Sequence, residues 1–267
     1  MTVPTPFWRS VEALNNFVYL VPEAGKHYAS VGLKGSWMGY FASRSAPLGA
    51  ASPELVIATF HGFAPHLVHR ALPDAWALAT PEAVNNARLE LATTVLGRAV
   101  SGEQMAPLAD ALTEIIGGLD LAGKPLAAAH ASLALPADDL GRYWLANAVL
   151  REFRGDCHIA VLITHGLNGI DANVLNVAAG NRFPQQQALR GWSDEEWAAG
   201  QDRLRERGWL DAEGAITEAG TATRNELEVA TDRTCLGGMS QAAVTTAGEI
   251  AEDVRAAARA LRTALKP

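Results

Sequence analysis

The chain has 267 residues, 49% of them hydrophobic, and a net charge of -7, enough length and apolar content for one large or two ordinary globular domains rather than a disordered chain. Acidic residues number 29 against 22 basic ones, with lysine only at positions 26, 34, 124 and 266; this weighs against a general grip on phosphate backbones, which relies on clustered Lys and Arg. No apolar run approaches the roughly 18 residues needed to span a bilayer, the N-terminus lacks the basic and apolar regions of a secretion signal, and Cys157 and Cys235 are expected to stay reduced, so the reading is a cytoplasmic protein without a membrane partner.

Taken in chain order, residues 7–100 read as a first helical half. Gly39 to Gly49 places Tyr40 and Arg44 one helical turn apart, an aromatic hydroxyl and a guanidinium suited to a carboxylate or phenolic ligand. Trp8, Phe17, Tyr19 and Trp37 add aromatic surface for an apolar pocket. Ser52-Pro53-Glu54 caps a helix expected to run to His69, apolar almost all round and suited to a pocket wall. His61, His66 and His69 lie close together, but Pro65 intervenes and no Cys or carboxylate joins them, so a metal site is not expected. Thr80-Pro81-Glu82 opens the next helix.

Residues 101–142, with Gly117-Gly118 and Gly123-Lys124-Pro125, read as a helical connection. Over 143–233 the order becomes helix, turn, helix, hairpin. A helix is expected over 143–165 with a break at Gly155. A second spans 168–179 and ends at Gly180. A third, 193–207, is capped by Ser193 with Glu196 completing a capping box. Trp209 to Ile216 then predicts two short strands around Gly214. The fold class is therefore mostly α with a small β wing, a winged helix-turn-helix. Periodicity resumes over 218–233, and 239–265 reads as one amphipathic helix that clamps the body or a partner.

The halves echo one another: Gly32-Leu33-Lys34-Gly35 matches Gly166-Leu167-Asn168-Gly169, Ser52-Pro53-Glu54 matches Ser193-Asp194-Glu195, and Leu89 to Thr93 matches Leu227 to Thr231. Such spacing is what a tandem duplication leaves.

A DNA-reading winged helix presents Arg, Lys and amides from its third helix and wing tip. Here Asp194, Glu195, Glu196, Asp202 and Glu206 stand against Arg203, Arg205 and Arg207, and the wing offers Asp211 and Glu213. Specific DNA binding is unexpected on that balance. The densest polar run is Arg151 to His158. On a helix Arg154 and His158 share a face, with Asp156 able to orient either. Glycine-rich phosphate loops, nucleophile elbows and zinc-protease motifs are missing, so no cofactor and no metal are expected.

Val21-Pro22-Glu23, Gly39 to Arg44, Ala46 to Gly49, Arg154 to His158, Gly191 to Trp197 and Ala230 to Arg233 together resemble an actinobacterial helix-turn-helix family, across residues 7 to about 235. The layout of the second half also resembles MarR-type regulators in fold. The family pattern carries histidine where this chain has Asn15 and Phe153. The resemblance thus implies a member without whatever metal or haem such a pair would hold, its cavity reshaped for specialised metabolism.

The expected function is a small-molecule pocket protein, or a metal-free and cofactor-free enzyme, monomeric or homodimeric, with the pocket between the halves. His158 is the candidate general acid or base, Asp156 the group that sets its tautomer, and Arg154 the anchor for an anion. Tyr40, Arg44, Asn15, Tyr19, Phe153 and His61 are the candidate ligand contacts. The rival reading is a ligand-responsive regulator whose Arg182, Arg190, Arg203 and Arg207 contact phosphates, and a third is an interaction partner docking through the last helix.

Overall fold

A computed structural model describes residues 3, 5–180 and 185–266. The chain is mostly helical, and helix punctuation written in the sequence accounts for most of the boundaries. The first half contains α1 (Thr5–Leu20), α2 (Ala24–Ala29), α3 (Gly35–Ser45), a 3-10 turn (Ala46–Leu48), α4 (Pro53–Phe60), α5 (Pro65–His69), α6 (Asp74–Leu78) and α7 (Pro81–Leu96). Then come α8 (Gly102–Gly117), α9 (Pro125–Ala131), α10 (Asp139–Thr164), α11 (Gly169–Ala178), α12 (Gln186–Arg190), α13 (Asp194–Glu206), α14 (Glu218–Gly237), α15 (Gln241–Glu249) and α16 (Ala251–Ala264). Side-chain oxygens of Ser52, Thr80, Asn168 and Ser193 each accept from a backbone N–H in the first turn of the helix they precede, satisfying donors that have no partner within the helix.

Contacts divide the chain into two compact units. The first comprises residues 1–51, 71–156 and 235–267; the second comprises 52–70 and 157–234. In the first unit α16 packs along α1 and α15 along α8, with Phe7, Phe41, Leu72, Leu91, Leu112 and Ile115 fully buried. In the second unit α11 packs against α12 and α13 over a core of Leu162, Ile170, Val174, Trp197, Leu204 and Leu210. Residues 52–70, read from the sequence as part of the first half, pack with this second unit.

Four local expectations need correction. The described residues contain no β-strand; the wing is reduced to the antiparallel bridge Leu210↔Ile216, with Asp211 N–H on the Ala215 carbonyl at 2.9 Å and Thr217 N–H on the Trp209 carbonyl at 3.0 Å. The arms are too short to extend, because Leu204 receives the Trp209 N–H on one side and Thr217 already caps the start of α14 on the other. Gly155 does not break α10: with the i→i-4 ladder intact on both sides, the missing Cβ alone does not interrupt a helix. The expected helix 52–69 is divided by a turn in which His61 takes φ 53°. The expected last helix divides at Ile250 into α15 and α16.

The turn at His61 is held by the second unit itself. The Gly62 carbonyl accepts from Asn173 Nδ2 at 2.9 Å and from Trp192 Nε1 at 3.3 Å, and Ala64 N–H donates to the Arg190 carbonyl at 2.8 Å. A Cβ on Gly169 would stand 1.9 Å from the His61 carbonyl oxygen, so glycine is the residue that lets this turn seat on the first turn of α11.

The candidate functional site

The sequence candidates fall into two groups, one in each unit. In the first unit they join a buried polar network that centres on residues the sequence reading passed over. Arg44, on α3, forms a fork on Glu152 of α10: Nε to Oε1 at 3.0 Å and Nη2 to Oε2 at 2.8 Å. Both side chains are nearly sealed from solvent, 7% and 1% exposed. Arg151 adds a third contact to Glu152 Oε2 at 2.6 Å, and Arg44 Nη1 reaches the Tyr40 hydroxyl at 3.3 Å. Burial by itself would raise the Glu152 carboxyl, but Arg151 and Arg44 outweigh it and hold the group well below the carboxylate range. Tyr40 and Arg44 are indeed neighbours, yet Arg44 is committed to Glu152.

Beside this pair lies Arg88, on α7 and 1% exposed. Its Nη1 donates to the Ser43 carbonyl at 3.2 Å and meets His130 Nε2 at 2.8 Å, while Nη2 donates to the Tyr19 hydroxyl at 2.5 Å. The guanidinium lies over the rings of Trp144 and Tyr19, 4.9 and 5.4 Å from their centroids. His130 is held neutral, its pKa lowered to about 3, first by burial and then by Arg88. Its Nδ1 therefore donates to the Leu126 carbonyl at 2.8 Å and its Nε2 accepts from Arg88. The Tyr19 phenol is pushed up by burial and stays neutral, ring against ring with Tyr40 at 4.9 Å.

Asp156 is buried and spent on structure: its Oδ2 accepts from the N–H groups of Leu126 at 3.0 Å and Ala127 at 2.9 Å, the first turn of α9. Burial raises its pKa from 3.8 to about 6, against those two hydrogen bonds. Phe153 is a core residue, fully buried, with Lys124 Nζ 5.4 Å from its ring centroid. Asn15 is fully buried on α1, and neither atom of its amide has a hydrogen-bond partner.

Asp156 and His130 titrate with opposite consequences. A raised carboxyl binds its proton more tightly in the folded state, so between about pH 4 and 6 stability falls as pH rises. A depressed histidine binds its proton less tightly when folded, so between about pH 3 and 6.5 stability grows with pH. The two slopes offset one another in the native protein. Asp156→Asn is expected to leave a melting temperature that climbs with pH over 4–6, and His130→Gln one that declines; parallel profiles for both variants would contradict these assignments.

In the second unit His158 Nδ1 lies 2.9 Å from Thr231 Oγ1. The Thr231 hydroxyl already donates to the Leu227 carbonyl at 2.7 Å, so its oxygen accepts and His158 Nδ1 carries a proton. The neighbour at Nδ1 is thus Thr231, where the sequence reading had Asp156. His158 borders a cavity of about 10 Å³ with Leu162, Leu167, Ala172, Leu175, Arg224 and Glu228, room for one water molecule. Arg154 shares the face of α10 that carries His158, one turn earlier. His61 is part-buried, its pKa lowered by burial, and lies in the α4–α5 turn.

The helix-turn-helix arginines make contacts inside the second unit. Arg203 forks onto buried Asp171, with Nε and Nη2 at 3.0 and 2.6 Å from Oδ1. Arg207 donates to the His165 and Gly166 carbonyls and lies 3.9 Å from the Trp209 ring centroid. Arg205 holds Asp202 at 2.7 Å, and Arg190 lies 4.1 Å from the Phe63 ring centroid. Arg182 lies outside the described residues. Arg203→Ala should destabilise the fold by about 2 kcal/mol, the worth of hydrogen bonds to a charged group, because it strands Asp171; an unchanged denaturant midpoint would show that the pair holds nothing.

Among the described residues no group of His, Cys, Asp and Glu is arranged to hold a metal, and no helix is long and apolar enough to cross a membrane. Comparison with curated proteins and with solved structures gave no match. One family model does match, over residues 5–266 and so over almost all of the sequence, and on that match the chain belongs to a helix-turn-helix family.

Proposed function

We propose that this protein is a small-molecule binding protein built on a helix-turn-helix scaffold, with its binding groups in the buried polar network of the first unit, and that α13 does not grip DNA. The observation that carries the reading is Asn15: an amide fully buried with both polar atoms unpartnered costs a folded protein roughly 1–3 kcal/mol per stranded group, a cost relieved by a bound molecule. The DNA side of the reading is supported by the second unit. The exposed first turn of α13 carries Asp194, Glu195 and Glu196, and Arg203, Arg205 and Arg207 are engaged by neighbours in their own unit.

Native mass spectrometry of the full chain, compared with its denatured mass, tests the first half of this reading: a small organic mass retained natively and lost on denaturation is expected. Fluorescence anisotropy with labelled duplexes tests the second. Weak binding that vanishes by about 200 mM salt, without sequence preference, is the expected outcome.

Membership of a helix-turn-helix family favours one alternative, a ligand-responsive regulator of the MarR type. Retention of one particular duplex against excess competitor DNA, released by a small molecule, would establish that alternative and retire the DNA half of the proposal.

A further inference from the structure

Four helical stripes in the first unit are interrupted by polar residues at positions where an apolar side chain would be expected. On α1 the stripe runs Val11, Asn15, Val18; on α7 it runs Val84, Arg88, Leu91, Val95. On α10, Leu145 and Val149 are followed by Glu152 and Asp156, and on α9 His130 follows Leu126. All five of these polar residues are buried. Glu152 is paired with Arg44, Asp156 accepts hydrogen bonds from the α9 amides, and His130 is neutral.

Arg88 is different. Its guanidinium carries a charge, is 1% exposed, and rests on neutral acceptors alone: the Ser43 carbonyl, the Tyr19 hydroxyl and His130 Nε2. Setting Arg44, Arg88 and Arg151 against Glu152 and Asp156, the network holds one positive charge in excess. A charge taken out of water without a counter-charge is strongly disfavoured.

The unused hydrogen-bonding atoms nearby are mostly donors. Arg88 Nε and Trp144 Nε1 have no acceptor, and Trp144 lies beneath the Arg88 guanidinium. The Tyr19 oxygen accepts from Arg88, which leaves its hydroxyl proton to donate. Asn15, one turn before Tyr19 on the same face of α1, contributes an amide with both ends unused.

We infer that Arg88 is the anchor of a buried anion site and that its ligand is a small carboxylic acid, bound as the carboxylate. The carboxylate supplies the missing negative charge and up to four acceptor directions for the Arg88, Tyr19 and Asn15 donors, and the Trp144 and Tyr19 rings favour an acid with a planar, unsaturated body. The inference rests on the small-molecule reading above and names the chemistry of its ligand.

The full chain, refolded from denaturant to strip any retained molecule, is titrated calorimetrically with benzoate, acetate, phosphate and chloride at constant ionic strength. Saturable binding of benzoate, at least tenfold tighter than phosphate, is expected. Asn15→Leu should weaken benzoate binding by tenfold or more while raising the melting temperature of the stripped protein, because a stranded amide becomes an apolar side chain; a purely structural asparagine would lower it. Arg88→Met should abolish binding, and circular dichroism reports whether that variant folds. No carboxylate binding alongside an organic mass retained by the native protein would overturn the carboxylate class and leave the small-molecule reading standing. No binding and no retained mass would overturn both. Phosphate binding tighter than any carboxylate would reassign the site to inorganic anions.

Discussion

Glu152→Ala is expected to remove about 3–5 kcal/mol of stability, the usual cost of taking one partner from a buried ion pair. The carboxylate is 1% exposed and touches Arg44 and Arg151; without it the Arg44 guanidinium loses its buried counter-charge, beside a second buried guanidinium on Arg88. Urea denaturation followed by circular dichroism reads the effect directly. The double variant Arg44→Met with Glu152→Leu should recover much of the loss, because it removes both charges together. The acid limb carries the same signature. A carboxyl depressed in the folded state adds stability above its unfolded value near 4.5 and surrenders it as the pH falls toward the folded value, so wild type should lose stability below pH 4.5 in a way that Glu152→Gln does not. Equal acid limbs for the two proteins would show that the pair does not control acid stability.

Gly169→Ala should have the next largest effect. The added carbon meets the His61 carbonyl oxygen at 1.9 Å and the Gly62 Cα at 3.2 Å, and both obstacles are backbone, so neither can rotate away. Accommodation requires the α4–α5 turn to lift off α11, with loss of the hydrogen bonds that Asn173 and Trp192 make to the Gly62 carbonyl. A loss of about 3 kcal/mol is expected, at the upper end for overpacking. Hydrogen exchange should quicken for residues 61–70, first at the Ala64 amide, which donates to the Arg190 carbonyl. Gly25→Ala, where nothing lies within 4 Å of the new carbon, serves as the control and should be nearly silent. Comparable losses in the two variants would mean that the close approach at Gly169 is unimportant.

Much of the fold was legible because helix ends are local. Asn168 and Gly180, or Ser193 and Glu196, satisfy or release backbone groups within a few residues of themselves, so their meaning does not depend on the rest of the chain. The wing and the 52–69 helix were misread for the opposite reason. Whether Leu210 and Ile216 begin a ladder is decided by how many residues precede the next cap at Thr217, and the turn at His61 exists because Gly62 finds Asn173, 111 residues away.

The site followed the same rule. Tyr40 and Arg44 were found as an i,i+4 pair, and Asn15 and Tyr19 stood among the candidates. Glu152 was passed over because its partner is 108 positions distant. Arg88 and His130 were passed over because each stands alone in an alanine-rich segment. One signal was present in all three: a polar residue at a position where helical periodicity demands an apolar one. Asp156 was named for the wrong neighbour, since the α9 amides that it receives become adjacent only after folding.

The packing of α16 along α1 joins two elements far apart in the sequence. During synthesis α1 is made before α16, and Phe7, Val11, Leu14 and Val18 of its buried face lack that helix until residues 251–264 have been made. Closing so long a loop is slow on the scale of local helix formation, so the nascent first unit exposes an apolar stripe for as long as translation lasts. Deleting α16 would make that transient condition permanent, and the variant should be retained by chaperones and aggregate even though every residue of both polar clusters is still present.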